Sequence, residues 1–418
     1  MTVRRDERRA LRGGQPRATT AVLLIALLAA ATLAISTYIS STRVTHGFAS
    51  YYAAGRAVIE GRFAPWVYDD AVFGAYLRQV TGSPVRDIYA PNTPAMALLA
   101  APVARLPHRN ARGVWLAVVL FALFTSVQWL VTDALARQHR LALWLGVAVL
   151  VSPVVFANIR TAQAYPLILA AVTVAAWALL HRRDLAAGVA LGLACAIKPT
   201  LAPWLLVLLC QRRVVAVLSA AASALLVVVV SMPFVGAASW LAWPGVALAF
   251  AGRPEVGVTA YQTTIGFTRH LCVADPQWNA GAPLGCAGVA SWLPLLVLLA
   301  ATAVTCLVAL RRSDRTTIAA SVCLSLLALP IAEDHQFVSL AVPLFFVPAD
   351  TRRQRVWLAI AVTLMLLPEQ LTWVRFTEGW WSLLAYPRLY ATWILWGCAV
   401  LSRAPAPGPA LDALARRA

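Results

Sequence analysis

Charge is scarce in this chain. Asp, Glu, Lys and Arg make up 12% of its 418 residues against 61% hydrophobic ones, and the mean hydropathy is +0.73. Soluble domains carry roughly 25% charged residues, so that class is excluded and an integral membrane protein with many apolar segments is implied. Metal-ligand spacing is missing as well: His46, His270 and His335 stand far apart, and neither His-x-x-x-His nor Cys-x-x-Cys occurs. No metal is expected. Nor is there a P-loop or a Gly-x-Gly-x-x-Gly after a strand, which leaves a nucleotide-sugar without a visible site in the cytoplasm. No cofactor is expected. The chain also lacks an internal repeat, which speaks against a secondary transporter built from related halves.

Acids are the minority sign, 17 against 35 Lys and Arg, giving a formal net charge of +18 and a pI near 10.6. The basic residues punctuate apolar runs and form no stripe with interleaved aromatics, so they are read as topology-setting loop charge and nucleic acid is excluded as a partner. Cys195, Cys210, Cys306, Cys323 and Cys398 lie inside apolar runs and are most simply small core residues.

What is present is a series of apolar runs. The opening "MTVRRDERRALRGGQPR" and the run "ATTAVLLIALLAAATLAISTYISS" read as a cytoplasmic tail over 1–18 and an uncleaved first span. Further runs cover 112–132, 140–157, 162–180, 213–235, 291–310, 316–332, 336–348, 356–370 and 386–402. Between 185 and 210 two shorter pieces meet at Lys198-Pro199-Thr200, either as a hairpin dipping into the bilayer or as two tilted spans. The piece at 93–107 is re-entrant or interfacial. The fold class expected is an all-α polytopic membrane protein of about ten to twelve membrane helices, a single domain over 19–402 with a cytoplasmic tail over 403–418.

Orientation follows from charge. With the N-terminus inside, "ARQHR" (136–140), "HRRD" (181–184), "QRR" (211–213), "RRSDR" (311–315) and "DTRRQR" (350–355) all fall on the cytoplasmic side, as the positive-inside rule asks. The same walk places 42–92, 158–162, 236–290, 333–335 and 371–385 outside, and these segments hold most of the other ionisable and polar aromatic residues. Cys272 and Cys286 stand in the outer loop 236–290 with Pro and Gly between them, and a disulfide joining them is expected there.

The outer segments in order resemble the polytopic C-type glycosyltransferases, and in particular glycosyltransferase family 87, the actinobacterial α-mannosyltransferases that use polyprenyl-phosphate mannose. The residues that carry the resemblance are "GFASYYAAGRAVIEG", "IYAPNTPAMALLAAPVARLP", "NIRTAQAYPLIL", "AGVALGLACAIKPT", "YQTTIGFTRHL" and "EDHQFVSLAVPLF". It implies the GT-C fold, with re-entrant or interfacial helices on the outer face. It also implies an inverting transfer of a hexose, mannose by resemblance alone, from a polyprenyl-phosphate donor to a lipid or cell-envelope glycan acceptor at a site facing outside the cytoplasmic membrane. A family member that only binds lipid-linked glycan, and a lipid or sugar transporter, are the other readings.

Such a transfer needs a carboxylate for the acceptor proton and a cation for the leaving phosphate. The family's pattern opens the first outer loop with an Asp, and this chain has Gly47 there, after His46. The candidates to replace it are Asp87, His46, Glu333 and Asp334, with Asp69-Asp70 read as a solvated acidic turn. For holding donor or acceptor the candidates are His335, Arg269, Arg160, Tyr51, Tyr52, Tyr89, Gln262 and Lys198. Lys198 has two readings, a side chain reaching for headgroups or a grip on donor phosphate.

Overall fold

The computed structural model describes residues 30–402. Both expected tails and the start of the first expected span lie outside the described residues. Among the described residues there is no β-strand beyond one bridge between Asp275 and Asn279, and the chain is a succession of helices. Three helical runs are long and apolar enough to cross a bilayer by themselves, His108–Thr161, Val214–Val235 and Ala287–Ala309. Leu225, Leu226, Val229 and Val230 on the second are each more than half exposed, a continuous apolar outer face that suits lipid and not water. This is an all-α membrane protein.

Local sequence explains where the helices break. The Pro153–Thr161 helix starts at a proline, which is tolerated in a first turn because its missing N–H would be unpaired there anyway. The expected loop "ARQHR" shrinks to one non-helical residue, Gln138 (φ −148°, ψ 75°), within a helix that runs from His108 to Leu150. Lys198 is extended (φ −147°, ψ 117°) between the Asp184–Ile197 helix and Pro199, as expected of a residue whose successor is proline.

The two short pieces around Lys198 form a hairpin. Arg213, just past the second arm, donates to Asp184 at the start of the first (2.9 Å) and to the Leu179 carbonyl (3.4 Å), so both arms end together. The first arm packs against Val214–Val235 through glycines: a Cβ on Gly188 would lie 1.9 Å from Ser219 Oγ, and one on Gly192 would lie 2.1 Å from Ser223 Oγ. Small residues four apart let the two backbones approach. Close approach also holds the short Pro94–Ala104 helix, where Gly55 of the Phe48–Ile59 helix sits 3.0 Å, measured from its absent Cβ, from Ala100 and Ala104 atoms. That buried helix brings Thr93 to the hairpin tip, where its hydroxyl donates to the Ala196 carbonyl (2.7 Å).

The loops segregate into two groups at opposite ends of the helices that join them. At one end Arg213 bridges Asp184 and Asp314, Arg315 and Arg137 share Asp133, and Gln138 reaches Asp350. All the basic internal loops meet there. At the other end Arg253 pairs with Asp70, Arg160 with Glu369, and Thr259 donates to the Trp373 carbonyl, which gathers the segments expected outside.

Candidate active site

The segment 42–92, expected outside, is closed by a carboxylate from its far end. Asp87 Oδ2 accepts the backbone N–H groups of Gly47 (2.6 Å) and Ser50 (3.0 Å), and Oδ1 accepts that of Ile88 (2.9 Å). Gly47 is the N-cap of the Phe48–Ile59 helix, and the first N–H groups of a helix have no partner within it. Asp87 supplies one from forty residues on. Gly47 itself sits at φ 91°, and a Cβ there would stand 2.7 Å from both the Gln163 side chain and the Thr161 carbonyl. An acid at position 47 has neither the backbone conformation nor the space.

Next along the helix is Tyr51, wholly buried, whose hydroxyl donates to Gln163 Oε1. Its ring lies 5.7 Å from Lys198 Nζ, and the ring of Tyr165 lies 4.8 Å from the same ammonium on the way to His335, whose ring centroid is 5.1 Å from that of Tyr165. His335 Nδ1 is 3.7 Å from Glu333 Oε2. Asp87, Tyr51, Lys198, His335 and Glu333 thus form one connected cluster, with His46 close enough to act on both carboxylates.

Lys198 is the only lysine in the chain. It is 5% exposed, and its ammonium makes one hydrogen bond, to Asn92 Oδ1 (2.8 Å). An ammonium has three protons to donate. Beside it is an apolar cavity of about 330 Å³ lined by Lys198, Tyr165, Gln336, Trp243 and Phe250 among others. Gln336 donates through Nε2 to the Tyr165 hydroxyl (2.8 Å), but its buried Oε1 has no partner among the described residues. A buried ammonium with unfilled donors beside an apolar space is suited to an anion that carries a hydrocarbon chain.

The two carboxylates of the cluster differ. Burial pushes Asp87 above the usual carboxylate range, against the opposing pull of the Gly47 N–H and His46. Glu333 is pushed up too, first by enclosure in protein, with Asp87 and Asp334 adding to the shift and His46 and Lys198 opposing it. Even so 40% of its side-chain surface is open, so it borders a space ringed by protein rather than packed shut. Among the described residues nothing donates a hydrogen bond to its carboxylate.

Other predicted residues are engaged elsewhere. Both oxygens of Asp334 accept from Arg388 (3.2 Å each) in an ion pair whose side chains are 0% and 5% exposed. Gln262 spends its amide on the Thr259 and Ala385 carbonyls (2.7 Å each) and its oxygen on the Arg388 N–H (3.2 Å). Tyr52 donates to the Leu106 carbonyl (3.1 Å) and Tyr89 to that of Thr93 (2.9 Å). Arg269 donates to the Arg253 carbonyl (3.0 Å) and is not brought to the cluster. Arg160 pairs with Glu369 and faces a separate cavity of about 400 Å³ with Arg43 and Asp334. Asp69 caps the Asp70–Thr81 helix through Ala71 and Val72, the acidic turn expected there. Sequence reasoning passed over Asn92, Gln163, Tyr165, Gln336 and Arg388. Arg388 had a signal, as an arginine in "YPRLY" at an end where positive charge is not favoured.

Cys272 and Cys286 are joined by a disulfide, Cα–Cα 4.3 Å, in the loop 236–290 expected outside.

The family model of glycosyltransferase family 87 matches residues 90–330, more than half of the chain. The chain belongs to that family. No curated protein and no solved structure matches it. As a family 87 protein it is a membrane glycosyltransferase with the all-α GT-C fold. The matched stretch includes Asn92, Tyr165 and Lys198 and stops before Glu333 and His335, so the carboxylates that complete the cluster are read from geometry alone.

Proposed function

We propose that this glycosyltransferase moves a hexose, mannose by resemblance, from a polyprenyl-phosphate donor to a lipid or cell-envelope glycan, with inversion, on the outer face of the cytoplasmic membrane. One observation carries the reading: the chain's only lysine is buried at the hairpin tip with a single partner, beside an apolar cavity. The cavity takes the first isoprene units and Lys198 takes the phosphate, which gains negative charge as the anomeric bond breaks. Tyr51 and Tyr165 flank the ammonium and keep water from it. The collection of basic loops at the opposite end supports an outward-facing cluster. Two carboxylates near Lys198, despite Gly47, support an enzyme over a member that only binds glycan.

The test is transfer of label from polyprenyl-phosphate mannose, in membranes with and without the protein, to a total lipid and glycan extract. Protein-dependent product is expected. Lys198→Met is expected to lose about a hundredfold or more of the transfer, the scale of removing one oxyanion-stabilising group. Undiminished transfer by that variant removes Lys198 from the phosphate site. Transfer from a nucleotide-sugar with none from the lipid donor refutes the donor class.

A further inference from the structure

Resting on the transfer reading above, we infer a division of labour between the two carboxylates: Glu333 takes the acceptor proton, and Asp87 is a positioning residue that holds the first outer loop over the site. The acceptor oxygen forms its bond to the anomeric carbon, the bond from that carbon to the phosphate oxygen breaks with its electron pair going to the phosphate, and the hydroxyl proton passes to Glu333 Oε. Glu333 then releases the proton to water through its open side before the next turnover.

The assignment rests on what each carboxylate is already doing. A general base must have a lone pair free and within reach of the proton it takes. Asp87 accepts three backbone N–H groups and fixes the N-terminus of the Phe48–Ile59 helix. Asp334 is saturated by a buried arginine. Glu333 accepts no hydrogen bond from a described residue, the His335 ring nitrogen being 3.7 Å away, and 40% of its side-chain surface is open. It is also tied to the phosphate end of the site, since Tyr165 touches both His335 and Lys198. Proton acceptor and leaving-group cation are therefore linked through His335 and the Tyr165 ring. Gly47 fits this division: its N–H serves Asp87, and a side chain at 47 would displace Gln163 from Tyr51.

The experiment uses the full chain reconstituted with polyprenyl-phosphate mannose and a total lipid extract as acceptor. Glu333→Gln is expected to lose about a hundredfold or more of transfer, within the usual span for losing a general base, while its thermal midpoint and its protection by donor stay those of the wild type. Glu333→Asp should recover part of the loss. Asp87→Asn should keep transfer within about tenfold and lower the thermal midpoint, with the acid limb retained but moved to lower pH, because the Asp87 charge no longer opposes ionisation of Glu333. The wild-type rate should fall on the acid side at a pH above the ordinary glutamate value. Around Glu333 the groups that shape this limb are His46, His335, Lys198, Arg160, Asp87 and Asp334.

A readout that needs no turnover accompanies these: dicyclohexylcarbodiimide, which reacts with protonated carboxyls in apolar surroundings, followed by peptide mass mapping. Glu333 should be modified and Asp87 spared. Wild-type turnover by Glu333→Gln, or abolished turnover by a stable Asp87→Asn, overturns the division. If even the wild-type chain transfers nothing, the transfer reading fails, and modification of Asp87 in place of Glu333 overturns the division independently.

Discussion

The two ends of the helical bundle both hold many ionisable side chains and use them differently. At the basic end charge is consumed internally: Arg213 spans Asp184 and Asp314, Asp133 is shared by Arg137 and Arg315, and Asp314 also takes Arg182. Each loop is stapled to another. At the opposite end, among the described residues, Lys198 has one amide partner, Glu333 has none within hydrogen-bond distance, and Gln336 leaves a buried oxygen unpaired. Buried polar groups without partners are costly, and an ammonium, a carboxylate and an amide oxygen that keep bonding capacity open in one cluster suit a ligand there. Pairs occur at both ends, but only around Lys198 and Glu333 do charged groups of the cluster keep bonding capacity open among the described residues, and that is where the chemistry is placed.

The comparison is sharpest where a paired group sits at the wrong end. Asp334 neighbours Glu333 but belongs with the architectural charges, because Arg388 holds both its oxygens and also donates to the Leu367 carbonyl (2.7 Å). Asp334→Asn should cost about 3–5 kcal/mol of stability, the usual result of leaving a buried charge without its partner, while the protein that does fold keeps its transfer rate. Thermal midpoints together with turnover normalised to folded protein check this. A stable variant that has lost turnover moves Asp334 into the reacting set.

At the basic end Arg213→Met removes a guanidinium that is 9% exposed and ties three elements together. Its carboxylate partners are 28% and 20% exposed, so water recovers part of what they lose. The expected cost is about 1–3 kcal/mol, read as a lower thermal midpoint with donor binding unchanged. A change in donor affinity from this far end would mean that the hairpin transmits to its tip.

How far the sequence reveals these roles follows the same division. Apolar length and loop charge act locally and additively, so the helices, the grouping of basic loops and the Cys272–Cys286 bridge could be read in the chain. "AGVALGLACAI" is legible in part: its glycines turn out to be packing surface against Ser219 and Ser223. The site is harder because it depends on which residue a side chain meets. Nothing local to Gln262 says that both ends of its amide are spent on backbone, and nothing local to Asp334 names Arg388, fifty-four residues on. Gly47 shows the limit most clearly. In the sequence it is a missing acid; in the fold it is the donor that receives Asp87.

The smallest expected effect comes from the Cys272–Cys286 bridge, which belongs to the outer end yet touches neither kind of charge. It closes a separation of fourteen residues, for which chain entropy predicts at most about 3 kcal/mol. The loop does not depend on the bridge alone. The Asn279 amide donates to the His270 and Val273 carbonyls (2.7 and 2.8 Å), Asp275 caps Gln277 and Trp278, and the Leu284 N–H donates to the Leu271 carbonyl (2.9 Å). Much of the turn is therefore kept in the open form, and Cys272→Ser should lower the thermal midpoint by only a few degrees while leaving transfer intact. Alkylation under denaturing conditions without reductant should show two thiols fewer in the wild type than after reduction. An unchanged thiol count would refute the bridge, and a lost transfer rate in Cys272→Ser would mean that this loop reaches the reacting cluster, breaking the separation between stapled scaffold and open site.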